Sequence, residues 1–305
     1  MSVIETSGLG KQYKQVWALR DCTMAIPAGR IVALVGPNGA GKTTLLHLTV
    51  GLATATTGAV TVLDGASAGS LDALERVAFV AQDAPLYGYL SVASMLDLAA
   101  SLNRQFDRRR SEKRLAELGI RLGHKVGRLS GGQRAQLALT IAVARRPDLL
   151  VLDEPLAGLD PLARHDFMAS LMIAAAEDGL SVVFSSHVIS ELERVADYLV
   201  LLTGGRVQMM GEITELLAGH AMMSGLSADM DVVAERFAVL HVMRAGRQAH
   251  LLVRAANGAG PPPQGWEAGN VTLEELVLAY LRDPSACALP GPAPVSSLWP
   301  KGVTA

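Results

Sequence analysis

Gly36-Pro37-Asn38-Gly39-Ala40-Gly41-Lys42-Thr43-Thr44 follows the apolar run Ile31-Val32-Ala33-Leu34-Val35 and opens into an amphipathic stretch. That succession predicts a strand, a glycine-rich loop and a helix N-terminus. The spacing of Gly36, Gly41, Lys42 and Thr43 fits a phosphate-binding loop. Small residues there let successive backbone N–H groups curl around an oxyanion, and the helix dipole adds partial positive charge. On that reading Lys42 reaches the β- and γ-phosphates of a nucleotide and the Thr43 hydroxyl ligates Mg²⁺. Taken alone, the loop is also readable as an ordinary β-to-α turn; the strand before it and the helix after it favour the nucleotide.

Composition bounds what the nucleotide can be used for. The chain has 305 residues, room for one large domain or two modest ones. With 50% hydrophobic and 18% charged residues it reads as globular and cytosolic. A formal net charge of -2 sets up no global basic field for nucleic acid or anionic lipid. Cys22 and Cys287 stand far apart in no metal or redox spacing, so neither a disulfide framework nor a zinc site is expected. Residues 1–10 lack a basic segment followed by an apolar one, so no cleaved secretion signal is expected. The best apolar candidate for a span, Leu137 to Leu152, is broken by Arg145-Arg146-Pro147-Asp148, and the chain is not expected to cross a membrane by itself.

Upstream of the loop, Val16 to Ile26 reads as a strand ending at the turn Pro27-Ala28-Gly29. Tyr13 precedes it, either stacking on a purine or sitting half-buried in a strand. Downstream, a helix from Lys42 to about Leu52 leads to a short strand, Val60 to Leu63, and the turn Asp64-Gly65. Val77 to Ala81 is the next strand and delivers Gln82, placed to touch a metal-bound phosphate or water, or else a solvated strand end. From Ser91 to about Arg146 helical periodicity takes over, an insertion with Val92, Met95, Leu96 and Ala99 on one face. Within it Arg108-Arg109-Arg110, Lys113 and Arg114 are interleaved with Asp107, Glu112 and Glu117, which favours a solvated helix face over a nucleic-acid patch.

The insertion ends in Leu129-Ser130-Gly131-Gly132-Gln133 before a helix to Ala144. A hydroxyl, two glycines and a helix N-terminus make a second anion site from backbone amides. Leu149-Leu150-Val151-Leu152-Asp153-Glu154-Pro155 then reads as a buried parallel strand ending in two carboxylates. Asp153 suits Mg²⁺ coordination through water, and Glu154 suits polarising an attacking water. Leu156-Ala157-Gly158-Leu159-Asp160-Pro161 turns into a long helix to about Glu177, with Pro161 where an N1 residue is tolerated. His187 stands at the tip of the strand Ser181 to Ser186, where contact with the γ-phosphate is favoured over a plain surface role. Tyr198 to Leu202 and Arg206 to Met210 read as a closing hairpin.

The ordered set Gly36 to Thr43, Gln82, Leu129 to Gln133, Leu150 to Glu154, Ala157 to Asp160 and His187 resembles an ATP-binding cassette (ABC) ATPase over about residues 1–220. The resemblance implies an α/β P-loop NTPase fold: a RecA-like core with a mostly parallel sheet, an antiparallel β arm and a helical insertion at about residues 84–146. It further implies a head-to-tail pair of copies, the phosphate loop of one and the Ser-Gly-Gly-Gln signature of the other clamping one ATP. Tyr13 would stack on adenine. Gly36, Pro37, Asn38, Gly39, Ala40, Gly41, Lys42, Thr43 and Thr44 would cradle the phosphates, and Thr43, Gln82 and Asp153 would serve Mg²⁺. Glu154 would activate water and His187 would hold the γ-phosphate. Ser130, Gly131, Gly132 and Gln133 would face the partner's nucleotide, and Asp160 would tie the copies together. Two departures stand out: Ala157 occupies a common Ser position, and the basic run after the signature is thinned to Arg134-Ala135-Gln136, with Ile141 at a common Arg position.

Beyond residue 220 a small α/β extension is expected over 221–283. It holds a helix from Ala228 to Ala238, a strand His250 to Arg254, and a terminal helix Val271 to Leu281 with Thr272 as N-cap and Glu275 at N3. That helix resembles the end of ATPase subunits of two-component, exporter-type ABC systems. The proline-rich residues 284–305 are expected to be disordered. With one cassette and no spanning helix, the leading function is the energy-coupling subunit of a transporter. It would sit on the cytoplasmic face of the cell membrane as a homodimer, or a heterodimer with another ABC ATPase, docked on a separate permease. Leu86-Tyr87-Gly88-Tyr89-Leu90 is the candidate docking surface, with lobe core as the other reading of its leucines. The alternative is a non-transport ABC ATPase acting on nucleic acid or ribosomes. Such members resemble tandem cassettes or carry long coiled coils, which this slightly acidic chain does not, so no nucleic-acid partner is expected. A regulatory module that does not turn over is disfavoured by Glu154.

Overall fold

Two kinds of strand pattern build the first part of the molecule. β1 (Ser2–Tyr13) and β2 (Val16–Pro27) alternate buried and exposed residues, as antiparallel strands with one covered face do. β3 (Ile31–Val35) is buried almost throughout, and α1 (Lys42–Thr49) follows its glycine loop. β4 (Thr57–Val62) and β5 (Ala66–Ser67) join β1 and β2 in an antiparallel sheet, order β2-β1-β4-β5. Between β4 and β5 the chain turns through Leu63, Asp64 and Gly65, all at positive φ. The computed structural model describes residues 1–186, 188–254 and 261–282, which fall in two units, Met1–Arg206 and Val207–Ala305.

The rest of the first unit alternates helices with largely buried strands. In chain order these are α2 (Leu71–Arg76), β6 (Val77–Val80), α3 (Val92–Leu102), α4 (Arg108–Glu117) and α5 (Gly131–Ala144). They continue with β7 (Leu149–Leu152), α6 (Pro161–Asp178), β8 (Ser181–Ser186), α7 (Ile189–Leu192) and β9 (Tyr198–Thr203). The strands lie in the order β9-β3-β8-β7-β6, with β3–β9, β3–β8, β7–β8 and β6–β7 all parallel. Every residue of β7 and β8 is buried, the signature of strands covered on both faces. The α/β P-loop architecture, a mostly parallel sheet with an antiparallel arm, is therefore present.

α3, α4 and α5 carry their own core: Val92, Leu96, Leu115, Ile120, Val126 and Leu137 are each at most 3% exposed and pack together. Leu86 and Leu90 pack against this cluster, whereas Tyr87 and Tyr89 are 51% and 71% exposed. The two readings of that segment thus divide by residue type, leucines inward and tyrosines outward. The basic run on α4 is not merely solvated. Arg108 pairs with Asp97 and Glu112, Arg110 with Asp178 at 2.8 Å and Glu177 at 3.0 Å, and Arg114 donates to the Ser170 carbonyl at 3.1 Å. These bonds tie Arg108, Arg110 and Arg114 to acceptors on α3, α4 and α6.

The second unit begins within β10 (Arg206–Glu212). It continues with α8 (Ile213–Ala218), β11 (His220–Leu226), α9 (Met230–Ala234), β12 (Ala238–Ala245), β13 (Gln248–Arg254), β14 (Glu267–Gly269) and α10 (Leu273–Arg282). Its sheet is antiparallel, order β12-β13-β11-β14. The helix expected over 228–238 is shorter than its sequence pattern, because Ala238 already starts β12 and Phe237 and Val239 join the sheet's hydrophobic cluster. Thr272 and Glu275 form the expected cap, with Glu275 N–H donating to Thr272 Oγ1 at 3.2 Å and Thr272 N–H to Glu275 Oε2 at 2.9 Å. His220 is buried between the Leu216 carbonyl, 2.6 Å from Nδ1, and the Tyr280 hydroxyl, 2.9 Å from Nε2. Desolvation pushes its pKa below the ordinary histidine value. The tail expected to be disordered, 284–305, lies outside the described residues.

Candidate nucleotide site

Parallel pairing sends the C-terminal ends of β3, β8, β7 and β6 to one edge of the sheet, the edge where open α/β sheets bind ligands. Gly36 leaves β3 there, Asp153 and Glu154 leave β7, Ser186 ends β8, and Gln82 lies just past β6, exposed. His187 follows β8 directly and lies outside the described residues.

The loop after β3 needs its glycines. A Cβ on Gly36 would stand 2.3 Å from the Leu202 carbonyl oxygen, and one on Gly41 2.5 Å from that of Ala18. Gly41 also takes φ 101°, a left-handed conformation that side chains resist, and it caps α1 with no side-chain hydrogen bond. Pro37, Asn38, Gly39 and Thr43 are exposed, Thr44 is half-buried and Ala40 is buried beneath them. Lys42 is only 6% exposed. Its Nζ donates to the Gly36 carbonyl at 2.8 Å and to that of Pro37 at 3.3 Å, and lies 3.8 Å from Glu154 Oε1. One ammonium thus joins the loop to the carboxylates of β7.

Those carboxylates are held from β8. Asp153 is 2% exposed, and Ser185 Oγ donates to its Oδ1 at 2.7 Å. The same Ser185 Oγ accepts the Glu154 N–H at 2.7 Å, while Glu154 sits at φ 45°, a left-handed position costing about 1–3 kcal/mol for a non-glycine residue. Sequence reasoning missed Ser185. The readable signal was a hydroxyl near the end of an apolar strand, since pairing Leu152 with Phe184 makes Asp153 and Ser185 neighbours.

Beyond Glu154 the chain folds back on itself. Ala157 N–H donates to the Glu154 carbonyl at 3.0 Å, Asp160 Oδ1 caps α6 through the Ala163 N–H at 2.9 Å, and Arg164 Nε donates to the Leu159 carbonyl at 2.8 Å. Arg164, Glu154, Ala157, Gly158, Ser186 and Val188 line a cavity of ≈ 90 Å³. Arg164 was another residue not anticipated from the sequence.

The Ser130 to Gln133 turn is brought to a different place. Ser130 Oγ accepts the Gln133 N–H and Gln133 Oε1 accepts the Ser130 N–H, both at 3.2 Å, a complete capping box on α5. Ser130 and Gly131 are exposed, and a Cβ on Gly132 would lie 2.8 Å from the Ala163 Cβ. A cavity of ≈ 200 Å³ joins Gly131 and Arg134 to Gln82, Asp83 and Gly158, and no residue of 36–44 lines it. Tyr13 ends β1 opposite Val16, 49% exposed, with Lys11 Nζ 5.0 Å from its ring centre. Among the described residues no group of three or more His, Cys, Asp or Glu is placed to hold a metal alone.

Comparison with known proteins agrees with this geometry. Residues 19–157 match the family model described as ABC transporter. An ABC transporter ATP-binding protein of Nostoc is 31% identical over 255 residues, 78% of this chain and 76% of that one. The thiamine import ATP-binding protein ThiQ of Escherichia coli O157:H7 is 32% identical, covering 67% of this chain and 90% of its own. Among solved structures, an ATP binding subunit of an ABC transporter superposes with TM-score 0.63 at 28% identity, covering 71% of this chain and 92% of that one. The dimeric cassette MJ0796 bound to ADP and Pi gives 0.61 at 25% identity, over 69% and 98%. On these similarities the chain belongs to the ATP-binding proteins of ABC transporters, and it is an ATP-binding ATPase of transport.

Proposed function

We propose that two copies of this chain close around two ATP and Mg²⁺ and drive a separate membrane-spanning permease from the cytoplasmic face of the membrane. The observation that carries the reading is the bridge from the Gly36 and Pro37 carbonyls through Lys42 Nζ to Glu154 Oε1, 3.8 Å away. It supports phosphate cradle and general base acting on one group. The cradle fits a polyphosphate because Gly36 and Gly41 leave no room for a Cβ and the first turn of α1 has no side-chain cap. The exposed Thr43 hydroxyl and the Asp153 carboxylate fit the cation, with Gln82 at the neighbouring strand end. Mg²⁺ bound with the nucleotide supplies charge neutralisation at the phosphate oxygens.

In this reading Lys42 and the loop amides, Gly36 to Thr44, hold the β- and γ-phosphates, and Tyr13 offers its open ring to adenine. Glu154 takes the proton of the attacking water, and His187 contacts the γ-phosphate. Ser130, Gly131, Gly132 and Gln133 of one copy face the nucleotide of the other, while Asp160 lies at the junction. Support for a shared site comes from the signature turn, which lines a cavity with Gln82 and Gly158 but with no phosphate-loop residue. The neighbour MJ0796 is a dimer, which agrees.

Docking on a permease is supported by exposed Tyr87 and Tyr89 and by a groove of ≈ 160 Å³ lined by Leu52, Leu74, Phe79 and Arg145. Among the described residues no helix is long and apolar enough to cross a membrane, so the spanning part is assigned to another chain. The cassette boundary near residue 220, the helical subdomain over 84–146 and the exporter-type subclass, which rests on α10, belong to the same proposal. The ion pairs on α4 argue against the nucleic-acid alternative. The test is Glu154→Gln with saturating MgATP, read by light scattering. A stable dimer retaining ATP is expected, and a protein that stays monomeric overturns the shared site.

A further inference from the structure

We infer that Ser185 is a positioning residue for hydrolysis, holding the Asp153 carboxylate and the strained Glu154 backbone in the arrangement the reaction uses. The inference rests on the roles proposed for Asp153 and Glu154. Ser185 is 0% exposed at the C-terminal end of β8, amid the apolar run Val182-Val183-Phe184. A hydroxyl in such a place costs free energy unless both its donor and its acceptor are used. Both are: the O–H goes to Asp153 Oδ1 and a lone pair takes the Glu154 N–H, each at 2.7 Å.

The bond to Asp153 fixes Oδ1, and with it the rotation, of a carboxylate that is itself 2% exposed. The bond to Glu154 acts on the backbone. At φ 45° this residue holds a conformation that relaxes unless something pins it, and the Ser185 oxygen bonds the amide at the bend. Relaxation would swing the Glu154 carboxylate away from its place 3.8 Å from Lys42 Nζ. Ser185 touches neither phosphate nor water in this account and acts only through its two neighbours.

The test uses the full-length chain with Ser185→Ala, Ser185→Thr and Ser185→Cys. For Ser185→Ala we expect kcat to fall about 10- to 100-fold, the scale of a small misplacement of reacting groups. KM for ATP should stay within about twofold, because the phosphate loop is untouched. Ser185→Thr keeps the oxygen and should restore kcat to within about threefold, and Ser185→Cys, a weaker donor, should fall between. Independently of activity, amide exchange at Glu154 in the nucleotide-free protein should accelerate in Ser185→Ala and stay slow in Ser185→Thr. Wild-type kcat in Ser185→Ala, or equal losses in the Ala and Thr variants with no change in exchange, overturns the inference. Should Ser185→Ala not fold, the order Thr above Cys decides. Glu154→Gln assayed in parallel separates the failures. If it hydrolyses ATP at the wild-type rate, the general-base reading is wrong; if it is inactive while Ser185→Ala is not, only the role of Ser185 falls.

Discussion

The two glycine-rich helix starts of this molecule use the same residues to opposite ends. At α1 the cap is Gly41, left-handed and without a side-chain partner, so the amides of the first turn are offered outward. At α5 the cap is Ser130, and the capping box with Gln133 satisfies the turn from within. Gly36 and Gly41 are required by backbone a Cβ would strike, whereas Gly132 is required by the Ala163 side chain of α6 and Gly131 meets only Leu159 Cδ2 at 3.8 Å. The first turn carries no side-chain cap; the second ties Ser130 and Gln133 to each other and leaves Gly131 exposed. The lesson is that a glycine pair at a helix start marks close approach, and only the cap says of what.

Four substitutions test this contrast, in decreasing order of effect. Lys42→Ala removes the cation that bridges the first loop to Glu154, and ATP affinity measured by fluorescent-nucleotide titration should fall about 100-fold, or ~2.7 kcal/mol. Unchanged affinity would mean that the first turn is not the phosphate site.

Gly132→Ala drives a methyl to 2.8 Å from Ala163 and should lower unfolding free energy by about 1–3 kcal/mol in urea titration. Gly131→Ala, whose Cβ would make only an ordinary contact with Leu159 Cδ2 in a helical conformation, should be neutral or gain up to about 1 kcal/mol. Loss of ATP-driven dimerisation in that stable variant is the outcome expected of a turn that serves a second copy, and intact dimerisation would confine the signature glycines to packing.

Ser130→Ala is milder than Gly132→Ala: it breaks half of the capping box and should cost about 1 kcal/mol by thermal melting. A much larger loss would show that the turn contributes more than a cap.

Much of the site was legible because its residues are local in sequence. Strand, loop and helix around Gly36 to Thr44, the carboxylates ending β7 and the cap of α10 each announce themselves within a few positions. The misses are all relations across the chain. Ser185 became meaningful only when parallel pairing laid β8 beside β7. The basic run of α4 acquired partners on α6 at Glu177 and Asp178. The helix expected over 228–238 stopped early because Phe237 and Val239 are more valuable to a sheet core than to a helix, an override of local propensity by packing.

The order of hydrophobic runs, glycines and carboxylates by itself determined a strand, a glycine loop and a helix built to bind phosphate, and a buried strand ending in two carboxylates, because each is a local pattern. The ABC class came from the resemblance of the ordered motif set Gly36 to Thr43, Gln82, Leu129 to Gln133, Leu150 to Glu154, Ala157 to Asp160 and His187. Only the tertiary structure decided which of the two glycine turns shares its ammonium with Glu154, and which hydroxyl holds that glutamate bent. Those contacts bring Lys42 of α1 and Ser185 of β8 to Glu154 from more than a hundred residues before it and 31 residues after it, and separations of that kind are closed by the parallel pairing of β3, β8 and β7 rather than by any local pattern.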